Sequence, residues 1–174
     1  SNGYHLFLVV ALATGAASFI YEISWIRMLS LVLGSSTHSF ELMLSAFILG
    51  LAFGGLWIRR SIDKLSSPVV FLGGIQLCMG ILALGTLPLY ANSFELMDWL
   101  MANLPKTAAG YFGFNLASHG IALAVMLPAT FCAGTTLPLI THVLLRDGNG
   151  EKSIGAVYAW NTVGAIVGVS AAIH

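Results

Sequence analysis

The chain has 174 residues, of which 57% are hydrophobic and only 8% are charged. About a quarter of the residues of a soluble domain are charged, so this composition excludes an ordinary water-soluble fold. Seven basic and seven acidic residues give a formal net charge of zero, which excludes a basic surface for nucleic acid.

Five segments are long and apolar enough to cross a membrane, since a spanning helix needs about 20 apolar residues. They cover residues 6–31, 40–58, 69–90, 112–145 and 154–173. We therefore predict an all-α integral membrane protein whose residues 1–174 form a single transmembrane domain, a helical bundle in the lipid bilayer. The first segment is interpreted as a retained span rather than a signal peptide, because no basic residues precede it.

The fourth segment is too long for one straight span, because at about 1.5 Å per residue it would reach about 50 Å. Pro128 and Pro138 flank the sequence CAGTT (132–136), and each is expected to kink or break the helix. The segment is therefore either one bent helix or two short ones, and the latter would give six elements.

Residues 93–104 are predicted to form a separate interfacial helix on the outer side. Apolar residues recur there at helical spacing, Asn92 and Glu95 resemble a capping box, and Pro105 is a stop signal. The helix is too short to span, so we expect it at the headgroup level with Trp99, or packed on a partner subunit.

The basic residues predict the orientation of the bundle. Arg27 and Lys106 fall on one side of the bundle. The other five fall in the second and fourth connections, on the side of the N-terminus: Arg59, Arg60, Lys64, Arg146 and Lys152. Because positive loops stay in the cytoplasm, a cytoplasmic N-terminus is predicted.

Small residues predict close packing between helices. Gly50 with Gly54, and Gly164 with Gly168, each form a GxxxG step, and Gly73, Gly74 and Gly80 lie in the third segment. Small side chains let helix backbones approach closely in lipid. A tightly packed bundle is expected.

Glu22 and Arg27 are the strongest candidates for chemistry, because charges within a spanning helix are costly. Five residues apart on a helix, they do not face each other. Each is expected to pair with another helix, for example Glu22 with a donor on the fifth segment and Arg27 with Glu41. They are either structural ion pairs or a proton- or cation-linked site.

Each polar residue of the other segments can be explained by a structural role as well as by a functional one. His38 and Glu41 share a face at the start of the second segment, where capping explains them. No third ligand is spaced to complete a metal site, and His119 is expected to bond a neighbour, so no metal or cofactor is predicted. Asn161 and Tyr158 share a face of the fifth segment, where Asn161 needs an interhelical hydrogen bond or contacts a substrate.

The two cysteines, Cys78 and Cys132, are interpreted as small buried hydrophobic residues rather than a disulfide or metal pair. No dinucleotide-binding turn, P-loop or nucleophile elbow occurs, so no catalytic residues are predicted.

Four strings carry a family resemblance: YEISWIRMLSLVLG (21–34), AFILGLAFGG (46–55), LPATFCAGTTLPL (127–139) and GAVYAWNTVGAIVG (155–168). They resemble the membrane region of bacterial spermidine synthase-like transmembrane proteins, the fused major-facilitator/spermidine-synthase type. The resemblance implies a place in the bacterial inner membrane. The soluble synthase domain of that family is not expected within this chain.

The loop GGLWIRRSIDK (54–64) resembles the glycine-plus-basic loop of the major facilitators. Ile58 stands where that loop has an acidic residue, and no glycine follows Arg60, which disfavours a rocker-type transport mechanism.

Two functions follow as hypotheses. In the first, the chain is a membrane module that binds or moves a small cationic substrate, with Glu22, Glu41 and Asn161 as its contacts. In the second, it is a non-catalytic accessory subunit whose charges hold helices together. In both, the partners are the bilayer and other membrane subunits or a second copy, because a transporter usually contains two such repeats.

Overall fold

The computed structural model describes residues 2–33 and 37–174, which are helical apart from short connections and contain no strand. The helices are α1 (Asn2–Leu33), α2 (Thr37–Ser61), α3 (Pro68–Asn103), α4 (Ala108–Arg146) and α5 (Lys152–Ile173), with a short 3-10 turn at Ile62–Lys64. All five are long and apolar enough to cross a membrane. The predicted all-α architecture with five helices of spanning length is confirmed.

Local sequence signals set where the helices begin and end. Pro68 lies in the first turn of α3, where its missing N–H removes no helical hydrogen bond. The Thr107 hydroxyl caps α4 by accepting a hydrogen bond from the Gly110 N–H, at 3.3 Å. Between α4 and α5, Gly148 and Gly150 adopt positive φ angles of 79° and 72°, which a glycine tolerates without strain.

Helix α4 is central, because it contacts each of the other four helices. Two apolar clusters lie at opposite ends of it. One contains Trp25 and Met43 from α1 and α2 with Met97 of α3, and the other contains Phe7, Ile58 and their neighbours. The first cluster joins the end of α1 to the start of α2, and the second joins the start of α1 to the end of α2. Consecutive helices therefore run in opposite directions.

Helices α1 and α5 run side by side in the same direction, with glycine at their contact. A Cβ atom on Gly164 would overlap the backbone of Leu12, and one on Gly168 would overlap that of Ala16. The residue numbers of the contacting positions increase in the same direction along both helices, as they do in a parallel pair. Only glycine permits so close an approach.

Helices α2 and α4 form a second parallel pair. A Cβ atom on Gly50 would overlap the Thr130 side chain, and one on Gly54 would overlap the carbonyl of Phe131. From the other side, Gly134 of α4 lies against the backbone of Leu51. By contrast, Cβ atoms at the α3 glycines Gly73, Gly74, Gly80 and Gly85 would meet nothing within 4 Å.

Helix α4 is a single helix, so the alternative of six elements does not apply. Pro128 and Pro138 both lie inside it. Each removes one backbone hydrogen bond, which costs about 3 kcal/mol or more in an isolated helix. Burial on both sides of each proline, with Met126, Thr130, Thr136 and Ile140 all under 2% exposed, keeps the chain helical. Tertiary packing here overrides local propensity.

The predicted separate interfacial helix over 93–104 is wrong. These residues form the last turns of α3, which continues unbroken through Pro88 to Asn103. Met97 is buried in the cluster with Trp25, and Leu100 packs against that cluster. These contacts hold the segment on the bundle in line with α3. Trp99, 61% exposed, lies on its outer face.

Candidate functional site

The strongest candidate site is a cavity of about 250 Å³ between α1, α2, α4 and α5, which we call the Asn161 cavity. Its polar lining comes from Thr14, Ser18, Tyr158 and Asn161, and its remaining walls include Phe47, Leu51 and Pro138. The Asn161 Oδ1 atom lies 2.9 Å from the position of a Cβ on Gly15. The missing side chain at Gly15 therefore leaves the space that the Asn161 amide occupies.

Glu22 lies on the face of α1 that the bundle buries. Ala11, Gly15, Ser18 and Glu22 follow one another at helical spacing along this face. Glu22 is one turn from Ser18, which lines the Asn161 cavity, and only 7% of its surface is exposed. Among the described residues, no cation and no hydrogen-bond donor pairs with its carboxylate. The expected pairing of Glu22 with a donor on the fifth segment is therefore wrong.

The other predicted charges do not join Glu22. Arg27 and Glu41 are both exposed, and no ion pair links them in the described part of the chain. The predicted pairing of Arg27 with Glu41 is therefore wrong, because both residues are exposed and each is accessible without the other. Glu41 lines neither cavity. The side chain of His38, predicted to act beside Glu41, lies outside the described residues.

The remaining predicted polar residues have separate positions. His119 is exposed, and its Nδ1 atom lies 2.7 Å from the carbonyl oxygen of Asn115, one turn earlier in α4. Tyr158 lines the Asn161 cavity although half of its surface is exposed. Of the predicted polar side chains that the structure describes, only Tyr158 and Asn161 share a site. Among the described residues, no three potential ligands are grouped to hold a metal ion.

A second, larger cavity of about 520 Å³ opens between α1 and α3 and has α4 as its floor. We call it the Trp25 cavity, because Trp25, Tyr21 and Met28 form its wall on α1 opposite Gly80 and Leu84 of α3. Its lining is almost wholly apolar. It adjoins the Asn161 cavity, with which it shares Ser18, Phe47 and Ala133.

Two interhelical hydrogen bonds were missed by the sequence reasoning. The Tyr21 hydroxyl donates to the carbonyl oxygen of Val125 at 3.1 Å, joining α1 to α4. The Gln76 amide donates to the Thr136 hydroxyl at 2.9 Å, joining α3 to α4. An amide inside a spanning segment is itself a signal for such a bond. The partner is set by which helices are neighbours, which the sequence does not reveal.

The cysteines differ from the expectation in one respect. Cys132 is buried, as expected, whereas Cys78 is exposed. The antiparallel packing of α3 on α4 also places the two thiols near each other. Both are free thiols.

No family model, no curated protein and no solved structure matches this chain.

Proposed function

We propose that this chain is a membrane module that binds a small cationic ligand, and that it belongs to a spermidine synthase-like protein. One observation carries the proposal: Glu22 is buried with no compensating cation among the described residues. A carboxylate buried in a bundle needs either a proton or a cationic partner. A ligand ammonium group would supply that partner.

The position of Glu22 supports this choice of site. It lies one turn from a cavity that offers an amide and three hydroxyl groups, from Asn161, Tyr158, Thr14 and Ser18. An amine ligand carries several N–H donors, and these side chains supply acceptors one to two turns of α1 away from Glu22. Glu22 then provides the charge, and Asn161 orients the ligand.

The test is equilibrium binding of radiolabelled spermidine to the purified chain in nanodiscs. We expect Glu22→Gln to weaken binding at least about 30-fold, because losing one member of a buried charge pair costs 2 kcal/mol or more. Glu41→Gln is the matched control, since it removes the same charge from an exposed site. The affinity of Glu41→Gln for spermidine is expected to equal that of the parent chain. Size-exclusion profiles verify that all three proteins are folded.

The second candidate is an accessory subunit of a larger membrane complex. Its support is the outer face of α3, where Cβ atoms at Gly73 and Gly74 would meet nothing within 4 Å and Leu77 and Ile81 are exposed. If spermidine does not bind the parent, or binds the parent and Glu22→Gln equally, the ligand proposal is wrong. Purification of the chain in a stable complex with another membrane protein then favours the accessory role.

We also propose that the chain lies in the bacterial inner membrane with its N-terminus in the cytoplasm. The end of the bundle where α1 begins also carries five basic residues: Arg59, Arg60, Lys64, Arg146 and Lys152. Alkaline phosphatase fused after His174 is expected to be active, because α5 ends on the opposite side. The same fusion after Asn149 is expected to be inactive, and the reverse pattern would invert the topology.

A further inference from the structure

We propose that the Trp25 cavity holds one acyl chain of a membrane phospholipid. The cavity adjoins the site proposed for a cationic ligand and shares Ser18 with it, but most of its lining is apolar and lies on other residues. Its volume of about 520 Å³ falls within the range of about 300–1,000 Å³ that is typical of ligand pockets.

The chemistry of the lining points to an apolar occupant. No charged side chain lines the cavity among the described residues. Two of its polar groups already have partners within the protein, since Tyr21 donates to the Val125 carbonyl and Thr130 donates to the Met126 carbonyl. A water molecule needs two to four polar partners, and such a surface offers few. A polar headgroup would be poorly solvated here, whereas a hydrocarbon chain would not.

The position of the cavity points to the lipid as the source. Its lining residues lie in the second half of α1 and in the middle portions of α3 and α4. It opens sideways between α1 and α3, past Ile20, Leu84 and Leu87, all of which are exposed apolar residues. In a bilayer this opening faces hydrocarbon, because exposed apolar faces at this depth contact lipid tails. An acyl chain reaches it without crossing a polar layer.

Gly80 lies at the edge of the opening. It lines the cavity, and a Cβ atom there would meet nothing within 4 Å, so a larger side chain can be placed at this edge without overlapping a neighbour. Gly73 is equally open on the same helix and does not line the cavity. The two glycines therefore form a matched pair for substitution.

Trp25 is a natural reporter, since it lines the cavity and is only 3% exposed. Substituting Trp57, Trp99 and Trp160 with Phe leaves it as the single tryptophan, and these three are surface residues. The protein is reconstituted in vesicles of phosphatidylcholine brominated in the middle of the acyl chain, a contact quencher. We expect Trp25 to be quenched despite its burial, and Gly80→Phe to lose most of that quenching. Gly73→Phe is expected to retain it.

A second pair guards against misfolding of the Gly80 variant. Ala17→Phe fills the cavity from the α1 side, whereas Ala13→Phe, one turn earlier and also exposed, leaves it open. Loss of Trp25 quenching in Ala17→Phe, with quenching retained in Ala13→Phe, supports the proposal. Absence of Trp25 quenching in the parent, or quenching unchanged by both cavity-filling variants, overturns it.

Discussion

Gly15 of α1 lies directly against the backbone carbonyl of Asn161 in α5, so that a single methyl group on Gly15 would overlap that oxygen. The contact does two things. It brings the two backbones together where a GxxxG step, Gly164 with Gly168, continues the interface. It also fixes the Asn161 side chain at the wall of the smaller cavity. Packing and site are therefore linked at one residue.

Substitution of Gly164 tests the contact between α1 and α5. Gly164→Ala places a methyl group into the backbone of Leu12, so the two helices must separate. We expect the free energy of unfolding to fall by about 1–3 kcal/mol, as is usual for overpacked sites. The measurement is unfolding in mixed micelles with increasing dodecyl sulfate. Gly155→Ala, on the same helix with nothing within 4 Å, serves as control, and equal losses in both variants would contradict the packing.

Adjacent glycines of α2 provide a sharper version of the same test. A Cβ atom on Gly54 would overlap the Phe131 carbonyl, whereas one on Gly55 would lie 3.6 Å from the Gly134 oxygen, an ordinary contact. Gly54→Ala is therefore expected to destabilise the protein by about 1–3 kcal/mol. Gly55→Ala is expected to leave the unfolding midpoint nearly unchanged. If Gly55→Ala destabilised the protein more than Gly54→Ala, the face of α2 that packs on α4 would differ from the one described.

The Gln76–Thr136 hydrogen bond predicts an energetic coupling between α3 and α4. Such bonds contribute about 0.6 kcal/mol on average in membrane proteins, with a maximum of about 1.7. We expect a double-mutant cycle of Gln76→Leu and Thr136→Val to give a coupling free energy in that range. Gln76→Leu with Thr141→Val is the control pair, because the Thr141 hydroxyl bonds only to carbonyls of its own helix. Strict additivity of Gln76→Leu and Thr136→Val would contradict the bond.

The proximity of Cys78 and Cys132 predicts an oxidative crosslink between α3 and α4. Copper–phenanthroline with oxygen takes two electrons and two protons from the thiols and leaves one disulfide. We expect intact-protein mass spectrometry to show a loss of two hydrogens, reversed by dithiothreitol. Cys78→Ser is expected to remove the product. Formation of only intermolecular dimers in the parent would place the two thiols apart.

The sequence was sufficient for the number of spanning helices and not for their neighbours. Hydropathy alone locates α1 to α5, because lipid demands long apolar segments. The end of α3 was predicted wrongly, because Met97 and Leu100 pack into the core through contacts that only the folded bundle supplies. The pairing of Arg27 with Glu41 was predicted from charge alone, although both side chains remain at the surface.

The candidate site was anticipated in part. Glu22 and Asn161 stand out in the sequence because polar groups within spanning helices are rare. The position of Asn161 was not anticipated, because it depends on Gly15, which admits the Asn161 backbone two turns of α1 before Glu22. Gln76 carried the same signal as Asn161 and was overlooked.

The two prolines of α4 have a mechanical consequence for the whole bundle. Because Pro128 and Pro138 lack an amide hydrogen, the carbonyls of Ala124 and Gly134 receive no donor from the following turn. Helix α4 is therefore easiest to bend near these two prolines, and the segment between them packs closely on α2 at Gly50 and Gly54. Bending of α4 at the prolines would change the width of the Asn161 cavity and of the Trp25 cavity together.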